Sequence, residues 1–199
     1  MAELWMNIVA YSMCTGPPQP RDTWKALTST NQHYLLYTSY AKSSRRVDPC
    51  THLINLRNDT EKKMVVFQGV SYDQGSWTVE NKYIMTDKPD DDQAKDYMTS
   101  TFDSKYRQYG QNYRLVFAKY GKCFILREID DKRPYNVSTR PLQGCELWVT
   151  RDLAEARNLP CASVFKTMCG EQQQQSFNAT LCCTRTTGNE SPPWCAQKS

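Results

Sequence analysis

Alternation along the chain is clearest over residues 76–86. There Trp77, Val79, Asn81, Tyr83 and Met85 stand on one face, and Ser76, Thr78, Glu80, Lys82 and Ile84 on the other. A period of two marks a strand with two distinct faces. The same period in residues 145–150 separates Glu146, Trp148 and Thr150 from Cys145, Leu147 and Val149. Further strand-like runs occupy residues 33–40, 51–56, 63–70, 96–102, 112–120 and 122–128, giving eight strands in all. Asn58-Asp59, Asp73-Gln74-Gly75, the 87–92 stretch and Tyr120-Gly121 break the chain between them.

Two stretches change period. Asp22-Thr23-Trp24-Lys25-Ala26-Leu27 reads as a short helical turn behind an aspartate cap. Cys161, Val164, Phe165 and Met168 recur at spacings of three and four, one apolar stripe of a helix running from about Pro160 to Met168. Pro160 suits its first turn and Gly170 its stop. The stripe needs an apolar dock, which the Leu147/Val149 face supplies, leaving Glu146 and Trp148 for the other side. Eight strands in hairpin order followed by one helix predict an up-and-down antiparallel barrel with the helix outside. Such a barrel is wide enough to hold one small ligand. A two-sheet sandwich is the alternative. The predicted organisation is an extension at 1–19, barrel plus helix at 20–183, and a tail at 184–199.

Composition narrows the class. The chain of 199 residues carries nine cysteines and four Asn-x-Ser/Thr acceptors, at Asn58, Asn136, Asn178 and Asn189. That usage points to an oxidising, extracellular compartment and to N-glycosylation. No run approaches the ~20 apolar residues of a membrane span. Met1 to Cys14 reads as a mature N-terminus or a signal remnant. A net charge of +4, with only the short pairs Arg45-Arg46 and Lys62-Lys63, gives no nucleic-acid stripe. His52 follows Cys50 as a lone Cys-x-His, which is poor for zinc. There is no nucleophile elbow, His-Glu-x-x-His or phosphate loop, so neither an enzyme nor a cofactor is predicted.

Trp24-Lys25-Ala26-Leu27, the tyrosine-rich 34–40 strand and the run Gly144-Cys145-Glu146-Leu147-Trp148-Val149 occur together with Cys50, Cys123, Cys161, Cys169 and Cys182. In this the chain resembles the tick salivary lipocalins, including the histamine-binding proteins of hard ticks, over about residues 20–183. The resemblance implies an eight-stranded barrel with an external helix and a ligand inside. It implies disulfides Cys50–Cys182 and Cys123–Cys161, with Cys145–Cys169 as in six-cysteine members. Cys14, Cys183 and Cys195 fall outside that pattern; two can pair, leaving one.

The amine-site residues of the family transfer in part. Glu146 matches the carboxylate of the Glu-Leu-Trp strand and Tyr40 a tyrosine on the first strand, whereas Ser43 and Phe124 stand where amine-binding relatives carry acids. The predicted ligand site comprises Tyr40, Phe67, Trp77, Tyr83, Phe117, Phe124, Glu146 and Trp148; a lined cavity is favoured over aromatics that simply fill a core, and Glu146 would equally serve as a buried, paired acid. With two acids missing, an apolar or amphipathic ligand (sterol, fatty acid or eicosanoid) is expected, and the purpose that the resemblance implies is damping host inflammation and immunity. Histamine or serotonin is the alternative small-molecule ligand. A host immune protein or cell as partner is a third reading, motivated by the glycosylated tail and spare cysteines.

Overall fold

A computed structural model describes residues 21–40, 48–73, 75–86, 95–129, 144–156, 159–171 and 173–184. The chain begins with helix α1 (Thr23–Thr28), followed by strands β1 (Gln32–Thr38), β2 (His52–Asp59), β3 (Met64–Asp73), β4 (Ser76–Met85) and β5 (Tyr97–Thr101). A 3-10 turn at Ser104–Tyr109 leads into β6 (Gln111–Lys119), β7 (Cys123–Ile129) and β8 (Cys145–Val149). Helix α2 (Arg151–Ala154), helix α3 (Ala162–Cys169), the short β9 (Gln174–Gln175) and helix α4 (Ala179–Thr184) complete it.

Strands β1 to β8 pair antiparallel in chain order, and β1 closes the circle by pairing with both β2 and β8. This is the predicted barrel, and that closure excludes the sandwich. Its seam is unequal. β1 meets β2 over only three positions, from Gln32↔Ile54 to Tyr34↔His52. Beyond them β9 takes over, with Tyr37↔Gln175 and Thr38↔Gln174. Ser176 then bridges β1 and the segment leading into β2: its N–H donates to Leu36 O at 3.0 Å and its carbonyl accepts from Cys50 N at 2.9 Å. The C-terminal segment thus completes the wall, and Cys50–Cys182 pins it there.

Two apolar clusters lie on opposite sides of the sheet. Inside, Ala26 and Leu27 of α1 pack with Leu35, Leu53, Phe67 and Phe124, closing one end. Asp22 caps α1 by accepting from Lys25 N at 2.9 Å, as its sequence predicts. Outside, Phe165 of α3 packs with Tyr34, Leu36, Ile125, Leu147 and Val149. Cys161 stands at the helix N-cap, and Gly170 ends the helix at φ 89°, a conformation strained for any side chain.

Among the described residues three disulfides join Cys50 to Cys182, Cys123 to Cys161 and Cys145 to Cys169, as the resemblance implies. Cys183 is disulfide-bonded as well. Cys14, Cys195, Ser43, Asn136, Asn189, the 1–19 extension and the tail beyond residue 184 lie outside the described residues. Of the remaining acceptors, Asn58 ends exposed on β2 and Asn178 accepts from Leu181 N at 3.0 Å, capping α4.

Candidate ligand-binding site

The site is built on β8. Its alternation sends Cys145, Leu147 and Val149 into the outer cluster and Trp148 into the inner one. Glu146 shares the inner face, with 6% of its surface exposed. Tyr40 Oη donates to Glu146 Oε1 at 2.7 Å, Tyr113 Oη to the same oxygen at 3.3 Å, and Trp148 Nε1 to Oε2 at 2.9 Å. A carboxylate has about four acceptor positions, so three donors leave room for one more. Among the described residues no cation pairs with it. The glycine preceding the strand makes this possible, because a Cβ on Gly144 would overlap the Tyr40 ring. Gly144, Glu146 and Trp148 therefore act as one local unit, which explains their close spacing.

Glu146 lies in the wall of a cavity of about 270 Å³ inside the barrel. Leu27, Leu35, Leu126, Phe124 and Trp148 form its apolar part, with the Phe124 and Trp148 rings stacked 6.4 Å apart at 16°. Phe102 and Tyr109 line the cavity yet remain 67% and 76% exposed, so they mark its mouth. Polar groups occupy the wall between. Glu80 and Lys82 lie 3.4 Å apart, and Asp48 adds a further carboxylate. Three acids against one ammonium give the described lining a negative balance.

Below the cavity sits His33, edge-on to both Phe67 at 5.8 Å and Phe124 at 5.1 Å. Burial pushes its pKa down to about 4, only partly offset by the Leu27 carbonyl that Nε2 contacts at 3.0 Å. The ring is therefore neutral at physiological pH, and its Nε2–H donates to that carbonyl.

The predicted site residues divide into three groups. Phe124, Glu146 and Trp148 line the cavity. Tyr40 and Phe67 support it from behind: Tyr40 holds Glu146, and Phe67 is fully buried in the inner cluster. Trp77, Tyr83 and Phe117 need correction, for they stand on the outer side of the barrel. Trp77 meets Tyr72 edge-to-face at 5.2 Å, Tyr83 packs with Met64, Val66 and Met85, and Phe117 joins the outer cluster. A bulge between Leu115 and Phe117 keeps Leu115 inside while the next ring turns out.

On β4, then, the polar set is the inner one: Glu80, Lys82 and Ile84 face the cavity. Assigning the more apolar face to the interior misses this, because the outer face of β4 has apolar neighbours of its own. Tyr113 was also missed. The readable signal was register, since residues of β4 opposite Phe67 must share its inward face, and Lys82 does. Among the described residues no three metal-ligating side chains come together, and no helix is long and apolar enough to cross a membrane.

A closed eight-stranded antiparallel barrel, plugged at one end and holding a lined cavity beneath a mouth, is the architecture of a lipocalin, a class of ligand-binding proteins. The profile of the tick histamine binding protein family matches residues 18–184, and the chain belongs to that family. No curated protein matches it by sequence. Among solved structures it is similar to AM182 in its serotonin complex, with TM-score 0.60 and 14% identity over 82% of this chain and 94% of that one. It is also similar to Japanin from Rhipicephalus appendiculatus bound to cholesterol. There the TM-score is 0.51 and the identity 14%, over 76% of this chain and 93% of that one.

Proposed function

We propose that this lipocalin is a secreted scavenger of a small amphipathic amine, taken up with its ammonium on Glu146 and its apolar body against Phe124, Trp148 and Leu126. The observation that carries this reading is Glu146 itself, a buried carboxylate held by three uncharged donors and facing a cavity. Isolating an ionised acid from water is costly unless a counter-charge arrives. A ligand ammonium supplies that charge and the remaining hydrogen bond.

The sequence favours a sterol, fatty acid or eicosanoid, with histamine or serotonin as the alternative. The cavity favours an amine. A fatty-acid or eicosanoid carboxylate would meet Asp48, Glu80 and Glu146, with Lys82 already beside Glu80. A sterol brings no charge for Glu146, and about 270 Å³ is below the usual ~300–1,000 Å³ of sites for drug-sized ligands. The missing acids at Ser43 and Phe124 favour a ligand broader and less polar than histamine, because Phe124 offers a ring face instead.

Disulfides and glycosylation acceptors support secretion, and removing an amine mediator at a feeding site would damp host inflammation. Titration calorimetry with serotonin, histamine, cholesterol and oleate tests the ligand class. Serotonin should bind best, and Glu146→Gln should weaken it by roughly one to two orders of magnitude, the equivalent of one charge-assisted hydrogen bond at ~1.5–3 kcal/mol. Tight cholesterol or oleate binding, indifferent to Glu146→Gln, would overturn the reading.

A further inference from the structure

Lys82 is the one ammonium among the described residues of the cavity lining, and the wall is shaped around it. Its Nζ lies 3.4 Å from Glu80 Oε1 and 5.6 Å from the centre of the Phe102 ring. A Cβ on Gly69, across the β3–β4 ladder, would stand 3.0 Å from Lys82 Cε and 3.2 Å from Cδ. The absent side chain at 69 is the space through which the lysine stem runs. Its side chain is 27% exposed, so the charge is partly withdrawn from water.

A carboxylate and an aromatic ring converging on one point form a receptor for an ammonium ion. Here the occupant is part of the chain. We propose that Lys82 is the specificity-determining residue of this cavity, filling its outer cation subsite so that ligands with one cationic group are accepted and those with a second are rejected. The inference rests on the amine reading above and narrows it to monocations.

Two effects act together. A second ligand ammonium would face the fixed positive charge of Lys82 within a partly desolvated space, where like charges repel more than in water. It would also find Glu80 already paired, which leaves Asp48 as the one remaining acid of the described lining. Displacing Lys82 means competing with a group held there by its own backbone, at the high effective concentration of an intramolecular partner. Glu146, with three neutral donors and no lysine or arginine beside it among the described residues, carries no such occupant there.

Hexylamine and 1,6-diaminohexane form a matched probe pair, alike in body and differing by one ammonium. Calorimetric or competition titrations should be run on the full chain as wild type, Lys82→Met, Lys82→Arg and Glu146→Gln, each checked for its fold by circular dichroism. Burying a second ammonium is costly in any cavity, so the diagnostic quantity is the change in the affinity ratio between proteins. Lys82→Met should raise the diamine-to-hexylamine affinity ratio by roughly tenfold or more, as Glu80 and Phe102 fall vacant. Lys82→Arg keeps the charge and should retain the wild-type ratio.

An unchanged ratio in Lys82→Met, with hexylamine still bound, would overturn the role of Lys82 and leave the amine site standing. If hexylamine fails to bind the wild type, or binds it and Glu146→Gln alike, the amine reading falls and this inference with it. Should Lys82→Met fail to fold, a Glu80→Gln variant replaces it. Loss of the acid leaves the lysine charge unneutralised, so the preference for hexylamine should widen; a preference unchanged or narrowed would overturn the role.

Discussion

The two faces of the barrel wall are built from similar residues and do different things. The outer cluster contains all six cysteines of the three described disulfides, together with Leu147, Val149 and Phe165. The inner cluster contains none of them, and above it lies a cavity lined by acids and rings. The cross-links lie on the side where α3 and the C-terminal segment are attached. The inner side is left with unfilled volume and an acid that no cation among the described residues neutralises, both unfavourable for the empty fold. Stability and binding are therefore separable along one strand, β8, at alternate residues.

The sharpest way to break that separation is Leu147→Ala. Leu147 is fully buried beneath α3, so its truncation should cost about 2–5 kcal/mol in urea unfolding. Amine affinity measured well below the unfolding transition should remain unchanged. A large loss of affinity with stability intact would reverse the assignment of the faces.

Acid tests the inner side. His33 has its folded pKa lowered to about 4, against 6.5 in the unfolded chain, so the unfolded state binds the proton more readily. The stability this neutral ring supplies is fully present above pH 6.5 and declines as pH falls from 6.5 towards 4, by up to about 3 kcal/mol. His52, also lowered by burial, acts in the same direction. Denaturation curves across that window should show the decline, and His33→Gln should flatten it. An equal slope in the variant would assign the acid sensitivity elsewhere.

How much of this could be read from the sequence follows from the same contrast. On β8 the alternation was decisive, because a helix stripe with Phe165 at its centre required an apolar dock and Leu147/Val149 provided one. All eight strands and the α1 cap were legible for similar local reasons. On β4 the same reasoning misplaced Trp77 and Tyr83, since apolar content distinguishes inside from outside only when the outside faces water. Phe117 was misplaced by a bulge, which shifts register with no marker in the residue pattern. The polar lining by Glu80 and Lys82 depended on long-range register, and the donors around Glu146 come from residues 40, 113 and 148, which no local window brings together.

The smallest expected effect is the most exacting test of the boundary between the faces. Phe124 and Trp77 are both large aromatics on strands, and both were expected at the ligand. The structure separates them: Phe124 stacks on Trp148 within the cavity wall, and Trp77 lies against Tyr72 outside. Phe124→Leu keeps the position apolar but removes ring area, on the order of 40 Å², or about 1 kcal/mol at 25 cal/mol per Å². Amine affinity should then fall by roughly fivefold. Trp77→Leu removes more area, yet it removes that area from a surface the ligand never meets, so affinity should stay within about twofold of wild type. Parallel serotonin titrations of the two variants give the comparison directly. If Trp77→Leu lowers affinity as much as Phe124→Leu does, the ligand reaches the outer side of β4, and the inner cavity is not its sole seat.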